Sequence, residues 1–520
     1  LTPGQLRRID ELLDAVKICD PAIGSGAFPM GLLQEIFALK EAIAFALGNE
    51  NWEPARAKEN IIQNSIYGVD IEKGAVDIAR LRFWLSLVVD EERPKPLPNL
   101  DYKIVVGNSL LSKFDGEVID IDWEIKPEGE QGNLFASGLA DERKLLFAQI
   151  TGKQRTFFHP DGKDKKELAQ EIRRLKIDIL RNQLELMVKK SAAEKPKEGS
   201  KLFKQRMERY LETEGWKRAV KKLEILKNKP KEPFHHFDWK LDFPEILNPA
   251  MAGENPGFDI VIGNPPYVDL KGMREELKQT LLDRFSTAIN RINLYSIFLE
   301  FSLGILTTNG ILSFIIPNSL LVNSSYKLIR KAYINSVKTI VKLPDAIFEN
   351  AKVETIIFTA KKASGEKEIK AKVFNRLDKT DLTNFDYTVF KRSQWEKDDD
   401  VRYNIFCSTE QNKIFEQIES IGQPLVELCD FCLGLTPYDK YKGHTKDMMD
   451  NKVFHSPTAE TKHHRPLIDG SNVERYHIDN EPKEYIKYGS WLGAPRQEKF
   501  FTEPRICLLY TSDAADELSC

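Results

Sequence analysis

Near the middle of this 520-residue chain, Asn264-Pro265-Pro266-Tyr267 bring together a side-chain amide, a stiff backbone and a flat ring. The run before them, Phe258-Asp259-Ile260-Val261-Ile262, is apolar and β-branched, as in a buried parallel strand, and it stops at Gly263 where the chain must turn. Two prolines fix their own φ and push Asn264 out of the helical region, so the polar groups of the loop are held in place. The Asn264 side-chain oxygen and the Pro265 carbonyl could both accept hydrogen bonds from one NH2 group, while Tyr267 offers a face for stacking. That chemistry suits an exocyclic amine on a flat ring. The bland alternative is a rigid strand-to-loop turn with a half-buried tyrosine.

The elements that would position this loop read as a doubly wound α/β sheet. Val16 to Asp20 is a short strand, followed by a loop with glycines at 24 and 26 and a helix from about Pro29 to Leu47. The two glycines let a ligand lie against the backbone, and Asp20 at the strand tip can meet a cation such as an amino group. A dinucleotide fingerprint wants a third glycine where Pro29 stands, which counts against a nicotinamide cofactor. Ile66 to Ile71 is the next strand, with its helix over Gly74 to Val89. Asp70 at its tip can take both hydroxyls of a ribose and Ile71 can pack on an adenine ring, or Asp70 simply caps the helix. A third strand, Tyr102 to Val106, ends in Gly107-Asn108-Ser109-Leu110. After Tyr267 the pattern resumes: a helix over Asn293 to Leu306, a strand over Gly310 to Ile316, a helix over Leu320 to Tyr333, a strand over Val337 to Leu343, and a last strand ending near Phe358.

Composition sets only broad limits. Hydrophobic residues make up 41% and charged residues 30%, and the formal net charge of -3 gives no global basic signal, so any nucleic-acid surface must be local. Six cysteines in this length give no disulfide framework, and neither a signal peptide nor a membrane-length apolar run is present, which leads us to expect a reduced, cytoplasmic setting. From about Asp115 to Phe243 the sequence becomes charged, amphipathic and helical, as in Glu167 to Lys190. An inserted helical arm is expected. Its bland role is packing on the sheet; its sharper one is a basic face of Lys189, Lys190, Lys217, Lys221 and Lys222 along a nucleic-acid backbone. Cys429 and Cys432 form a CxxC in a stretch that reads as a strand, with no second pair at zinc spacing, so no metal is expected there.

Asn264-Pro265-Pro266-Tyr267 resembles the catalytic motif of amino-methyltransferases that use S-adenosylmethionine, in the variant typical of N6-adenine enzymes; cytosine-N4 enzymes more often carry serine where Asn264 stands. Asp20-Pro21-Ala22-Ile23-Gly24-Ser25-Gly26-Ala27-Phe28 resembles the S-adenosylmethionine-binding motif of DNA methyltransferases. The resemblance implies cofactor contacts from Asp20, Pro21, Ala22, Gly24 and Gly26, and from Asp70, Ile71 and Asn108 to its adenosine part. Ile347 to Phe358 resembles the late motif in which an aromatic residue stacks on an extruded base; Phe348 is the matching position, with core packing as the alternative. Beyond about Asp398, the stretches Gly434 to Thr445 and Arg465 to Ile478 resemble the target-recognition domain of type IIG restriction-modification enzymes.

This order of motifs is that of the gamma class of N6-adenine DNA methyltransferases. The implied fold is α/β, a class I S-adenosylmethionine-dependent methyltransferase with a Rossmann-like doubly wound sheet, a helical insertion and a C-terminal α+β target-recognition domain. Its expected division is 1–114 for cofactor binding, 115–243 for the insertion, 244–397 for catalysis, 398–507 for target recognition and 508–520 for a non-native tail. The implied partner is double-stranded DNA, with a nuclease domain elsewhere in the same full-length chain. Methylation of RNA adenine or protein glutamine, and an inactive DNA-binding module, are the rival readings. The tail Leu508 to Glu517 looks like translated sequencing adapter, and Leu1 lies so close to the glycine loop that the family's first motif has no room; both ends are expected to be artificial.

Overall fold

The computed structural model describes residues 1–89, 98–125, 134–158, 165–191, 193–197, 202–289, 293–344, 353–374, 385–407, 409–468, 472–474, 477–478 and 484–503. Phe348 and the tail after Cys507 lie outside them. The chain forms two units, Leu1–Ile405 and Phe406–Cys520.

In the first unit a single sheet carries β1 (Ile18–Asp20), β2 (Ile66–Asp70), β3 (Ile104–Val106), β4 (Phe258–Gly263), β5 (Leu306–Pro317), β6 (Val337–Lys342), β7 (Thr355–Lys361), β8 (Glu368–Val373) and β9 (Thr388–Lys391). Their spatial order is β9-β8-β6-β7-β5-β4-β1-β2-β3. β1 sits between β2 and β4, and the pairs from β3 through β5 are all parallel. β7 then enters antiparallel between β5 and β6. The strand order reverses at β1 and β4, so a crevice opens outside the carboxyl ends of these two strands, where ligands of open α/β sheets bind. Every residue of β1 is buried, which is why it reads as a short apolar run with an acid only at its tip.

The helices are fixed by ordinary local devices. α1 (Pro3–Ala15) begins with a capping box between Thr2 and Gln5, and α2 (Ala27–Ala46) begins at Gly26, whose φ of 82° only glycine adopts at little cost. Buried Lys40 of α2 reaches back to Asp10 and Asp14 at 2.6 and 2.9 Å, joining the two helices. α3 (Pro54–Ser65) and α4 (Lys73–Val88) complete one face of the sheet, where Ile18, Ile61, Val76, Phe83 and Ile104 form a core. The larger core on the other side centres on Tyr67, Phe243, Phe258 and Phe298, under α8 (Leu294–Ile305).

α5 (Leu134–Phe158), α6 (Lys165–Ser191) and α7 (Phe203–Lys227) form the stretch between β3 and β4 and enclose a core of their own, built on Phe147, Ile172, Leu180 and Leu184. Lys176 of α6 pairs with buried Asp242 at 2.5 Å, so the arm is tied to the short turn that leads into β4. All five lysines of the expected basic face are exposed, but Lys217 pairs with Glu214 and Lys222 with Asp115.

Three expectations are corrected here. β7 is not the last strand of the sheet: β8 and β9 follow, with alternately buried residues that the charged sequence Glu368-Ile369-Lys370-Ala371-Lys372-Val373 disguises. The helix expected over Leu320 to Tyr333 is interrupted, because Asn323 turns its side chain onto the Ser325 amide and restarts the chain, leaving an α-helix only over Lys327–Tyr333. The first unit also runs past Asp398. Val401, Tyr403 and Ile405 are buried in its core, and fully buried Arg330 donates to the carbonyls of Leu320, Asn323, Asp400 and Val401 at 2.7–2.9 Å.

The second unit holds a three-stranded antiparallel sheet in the order His455–Ser456, Glu484–Lys487, His464–Leu467, and a helix over Thr409–Ile421. Tyr438 stacks on Phe454 at 5.2 Å, and His444 accepts from the Asp439 amide through Nδ1 while its Nε2 meets the Trp491 carbonyl. Cys429 and Cys432 are exposed and lie in irregular chain, not in the expected strand; no neighbouring strand pairs with them among the described residues. No helix among the described residues is long and apolar enough to cross a membrane.

Candidate active site

The parallel packing of β1, β2, β3 and β4 brings their carboxyl tips together, and with them Asp20, Asp70, Asn108 and Asn264. The junction between β1 and β4 is especially tight. A Cβ built on Gly263 would fall 2.6 Å from the Asp20 Oδ1 atom, so glycine at the end of β4 is what lets the Asp20 carboxyl lie beside the Asn264 loop. Gly263 was legible only as a turn residue; its contact joins positions far apart in sequence. We predict that Gly263→Ala, which forces a methyl group into that carboxyl, weakens S-adenosylmethionine binding about tenfold, the scale of overpacking a tight site. Calorimetric titration checks it, and an unchanged affinity would mean that the carboxyl moves aside freely.

Asp20 is 1% exposed, and its Oδ1 accepts from the Ala22 amide at 3.0 Å. Burial, with a smaller push from Asp70, raises its pKa from 3.8 to about 8 despite that hydrogen bond. Among the described residues no cation pairs with this buried carboxyl, so an ammonium brought by a ligand would find its counter-ion here. Pro21 is pinned as well: its carbonyl accepts from the Ser109 hydroxyl at 2.5 Å, and the Ser109 carbonyl in turn accepts from the Trp239 indole at 2.9 Å. Ser109 and Trp239 therefore join the loop after β1 to the loop after β3 and to the arm's return segment. Nothing in their local sequence signalled that role.

Asp70 Oδ2 accepts from the Gly24 amide at 2.8 Å and Oδ1 from the Glu72 amide at 2.9 Å. One carboxylate thus ties the glycine loop to the start of α4 and keeps a lone pair on each oxygen for a ligand hydroxyl. Gly24 has φ 52°, in the left-handed region, which lets its amide turn toward Asp70. Ile71 is 65% exposed and Val106, at the tip of the neighbouring strand, 40%. Two bare apolar side chains on adjacent strand tips make a place for a flat ring. The Asn108 side-chain oxygen accepts from the amides of Leu110 and Leu111 at 3.0 and 3.1 Å, which leaves its NH2 as the group that can face a ligand. It can donate to a ring nitrogen but cannot accept from an amine.

Asn264 is exposed, and its side chain makes no hydrogen bond among the described residues; no described group donates to the carbonyl of Pro265. Pro265 itself is buried. Tyr267 is half-buried, its hydroxyl donates to the Ile315 carbonyl of β5 at 3.0 Å, and the Tyr295 ring meets it edge-on at 6.2 Å. The ring is anchored at its far end and held at its side, so its orientation is set before any ligand arrives.

A family model described as Eco57I restriction-modification methylase matches residues 64–348, more than half of the chain. The chain belongs to this family. The matched region holds β2 through β6, Asp70 and the whole Asn264 loop, and membership in a methylase family implies S-adenosylmethionine as methyl donor. The site fits that molecule: a buried carboxyl with no cation beside it among the described residues, a loop with two glycines in the left-handed region, a carboxylate with lone pairs to spare and a bare apolar slot. Among curated relatives, a putative type II restriction enzyme and methyltransferase of Methanocaldococcus jannaschii, RM.MjaORFECS2P, is 26% identical over 96% of this chain and 42% of its own length. The type II methyltransferase M.BstVI of Geobacillus stearothermophilus is 31% identical over 19% of the chain and 18% of its own length. The chain therefore spans less than half the length of the first of these relatives. Of solved structures, the type IIL restriction-modification enzyme MmeI in complex with DNA superposes over 94% of this chain and 47% of its own, with 13% identity and a TM-score of 0.45.

Proposed function

We propose that this chain transfers a methyl group from S-adenosylmethionine to N6 of an adenine turned out of a DNA duplex, as the modifying part of a type IIG restriction-modification enzyme. The observation that carries the reading is the Asn264 loop. Its two acceptors stand unengaged beside a fixed ring, at the tip of the strand that touches Asp20.

Asp20, Pro21, Ala22, Gly24 and Gly26 would hold the methionine part of the donor, and Asp70, Ile71 and Asn108 its ribose and adenine. When bound, the donor supplies a methyl group made electrophilic by a sulfonium. Tyr267 receives the extruded base on its face, which offsets part of the unstacking cost of about a few kcal/mol. Conjugation with the ring makes N6 a poor nucleophile. The Asn264 oxygen and the Pro265 carbonyl accept hydrogen bonds from its two hydrogens and favour a tetrahedral nitrogen with a free lone pair. As the N–CH3 bond forms, the S–CH3 bond would break to leave S-adenosylhomocysteine, and the surplus amine proton would pass to water. Gly263 keeps the two loops in contact, so donor and acceptor are aligned and little further activation is required.

Residues 406–503 are assigned to target recognition, with exposed lysines of the arm along the DNA backbone and a nuclease domain elsewhere in the full-length protein. Exchanging residues 406–503 for the matching region of a relative is expected to move the methylated sequence, and a motif that stays put would shift recognition to the arm. For the reaction itself, labelled methyl transfer to unmethylated DNA followed by nucleoside analysis is the test. Label in N6-methyl-2′-deoxyadenosine supports the reading; label in cytosine, or in RNA or protein offered in parallel, overturns it.

Asp70→Ala is expected to weaken S-adenosylmethionine by about 1–3 kcal/mol, since it removes the charged acceptor for a hydroxyl pair. An equilibrium titration checks it. An unchanged dissociation constant would leave Asp70 as a structural tie between Gly24 and α4.

A further inference from the structure

The amino edge of the sheet, opposite the crevice, contains a cavity of ≈ 380 Å³. Its lining residues include Lys17 just before β1, Asn64 and Tyr67 at the start of β2, Lys103 just before β3, and Glu245 from the short helix Pro244–Leu247 on the way to β4. The opposite wall is α5 of the arm, which contributes Thr151, Gln154 and Arg155. It lies at the amino ends of the strands, whereas Asp20 and Asn264 stand at the carboxyl ends, and none of its lining residues belongs to the site described above.

Some of its polar groups pair with one another and others do not. Lys103 Nζ donates to the Tyr67 hydroxyl at 2.7 Å, and that hydroxyl donates to Glu245 Oε1 at 3.2 Å. Lys17 Nζ reaches the Asn64 carbonyl at 2.5 Å. Three other donors, Asn99 Nδ2, Thr151 Oγ1 and Gln154 Nε2, are buried and have no partner; Asn99 and Thr151 are 6% and 9% exposed. Glu245 Oε2 is buried and unpaired too. Leaving that many polar atoms unsatisfied is costly, and in native structures such atoms usually meet water, an ion or a ligand. The wall carries three cations, Lys17, Lys103 and Arg155, against one acid, Glu245. Burial lowers the Lys103 ammonium to about 8 against the pull of Glu245, and it lowers Lys17 as well.

We infer that this cavity binds a small phosphorylated hydroxy compound of sugar-phosphate size, clamped between the sheet and the helical arm. The phosphate meets Lys103, Lys17 and Arg155, and a hydroxyl of the ligand donates to the Glu245 carboxylate. A cavity of this size lies at the small end of ligand pockets and holds one such molecule. The inference stands on groups that take no part in methyl transfer, so it survives or fails independently of that reading.

Ribose 5-phosphate is the probe, titrated calorimetrically into the whole chain at constant ionic strength, with ribose as the uncharged control. Saturable one-to-one binding is expected, unchanged by saturating S-adenosylhomocysteine and absent with ribose. Arg155→Gln, an exposed position whose change leaves the fold intact, is expected to weaken it about tenfold, as for loss of one charge-assisted contact. Lys103→Gln should weaken it at least as much. No saturable heat, equal binding of ribose, competition by S-adenosylhomocysteine, or insensitivity to Arg155→Gln would each overturn the assignment.

Discussion

Asn264→Ala will reduce methyl transfer about 100- to 1000-fold and leave S-adenosylmethionine affinity unchanged. The size follows from losing one of two preorganised acceptors at a reacting group, where such losses in active sites cost on this scale. The separation of the two effects follows from the structure. Asn264 is exposed at the end of β4 and makes no bond to the loops carrying Asp20 and Asp70, so removing its amide disturbs neither. Asn264→Asp is the instructive companion, because its carboxylate keeps an acceptor but brings charge next to the Asp20 carboxyl. A labelled-methyl assay with parallel calorimetry reads both quantities. Transfer near the wild-type rate would remove Asn264 from catalysis, and loss of cofactor affinity would place it in the donor site instead.

Asp20→Asn will make the free chain more stable and the cofactor complex weaker. The folded carboxyl has its pKa raised from 3.8 to about 8 by burial, so between these values the folded chain holds a proton that the unfolded chain has released. Stability of the free chain therefore falls as pH rises from about 4 to 8, by an amount on the order of 5 kcal/mol at the upper end. Asparagine keeps the acceptor for the Ala22 amide and carries no charge, so the fall is removed and Tm at pH 8 increases. The binding side runs the other way. An ammonium on the ligand favours ionised Asp20, so at pH 7 binding expels close to one proton, and affinity rises from pH 6 toward pH 8. In Asp20→Asn the proton release disappears and affinity drops about 10- to 100-fold at pH 8, on the scale of a charge-assisted hydrogen bond. Calorimetry in two buffers of different ionisation heat measures the proton directly. Undiminished proton release in the variant would assign the linkage to another group.

The parts of this fold that showed in the sequence are those whose constraint is local. β1, β2 and β4 are short apolar runs that end at Asp20, Asp70 and Gly263, and a strand buried on both faces has few other ways to be written. The loops at their tips were legible for the same reason. What did not show depends on partners distant in the chain. The charged alternation of β8 reads as surface until it pairs with β6 and β9. The first unit's end at Ile405 depends on Arg330, whose guanidinium is satisfied only by carbonyls of two separate segments. At the site, the sequence allows Asp70 to be either a ribose ligand or a helix cap, and the structure shows a third task, its bond to Gly24. The contacts of Gly263 with Asp20 and of Ser109 with Pro21 likewise exist only once the sheet has assembled.

The most direct test of adenine-N6 transfer is to express the gene, and separately its Asn264→Ala form, in a host lacking its own adenine methylation, and to map modified bases across the host genome. The account predicts N6-methyladenine at one recurring sequence with the wild-type gene and none with the variant. Methylation at cytosine N4, or adenine methylation that persists in the variant, would contradict it.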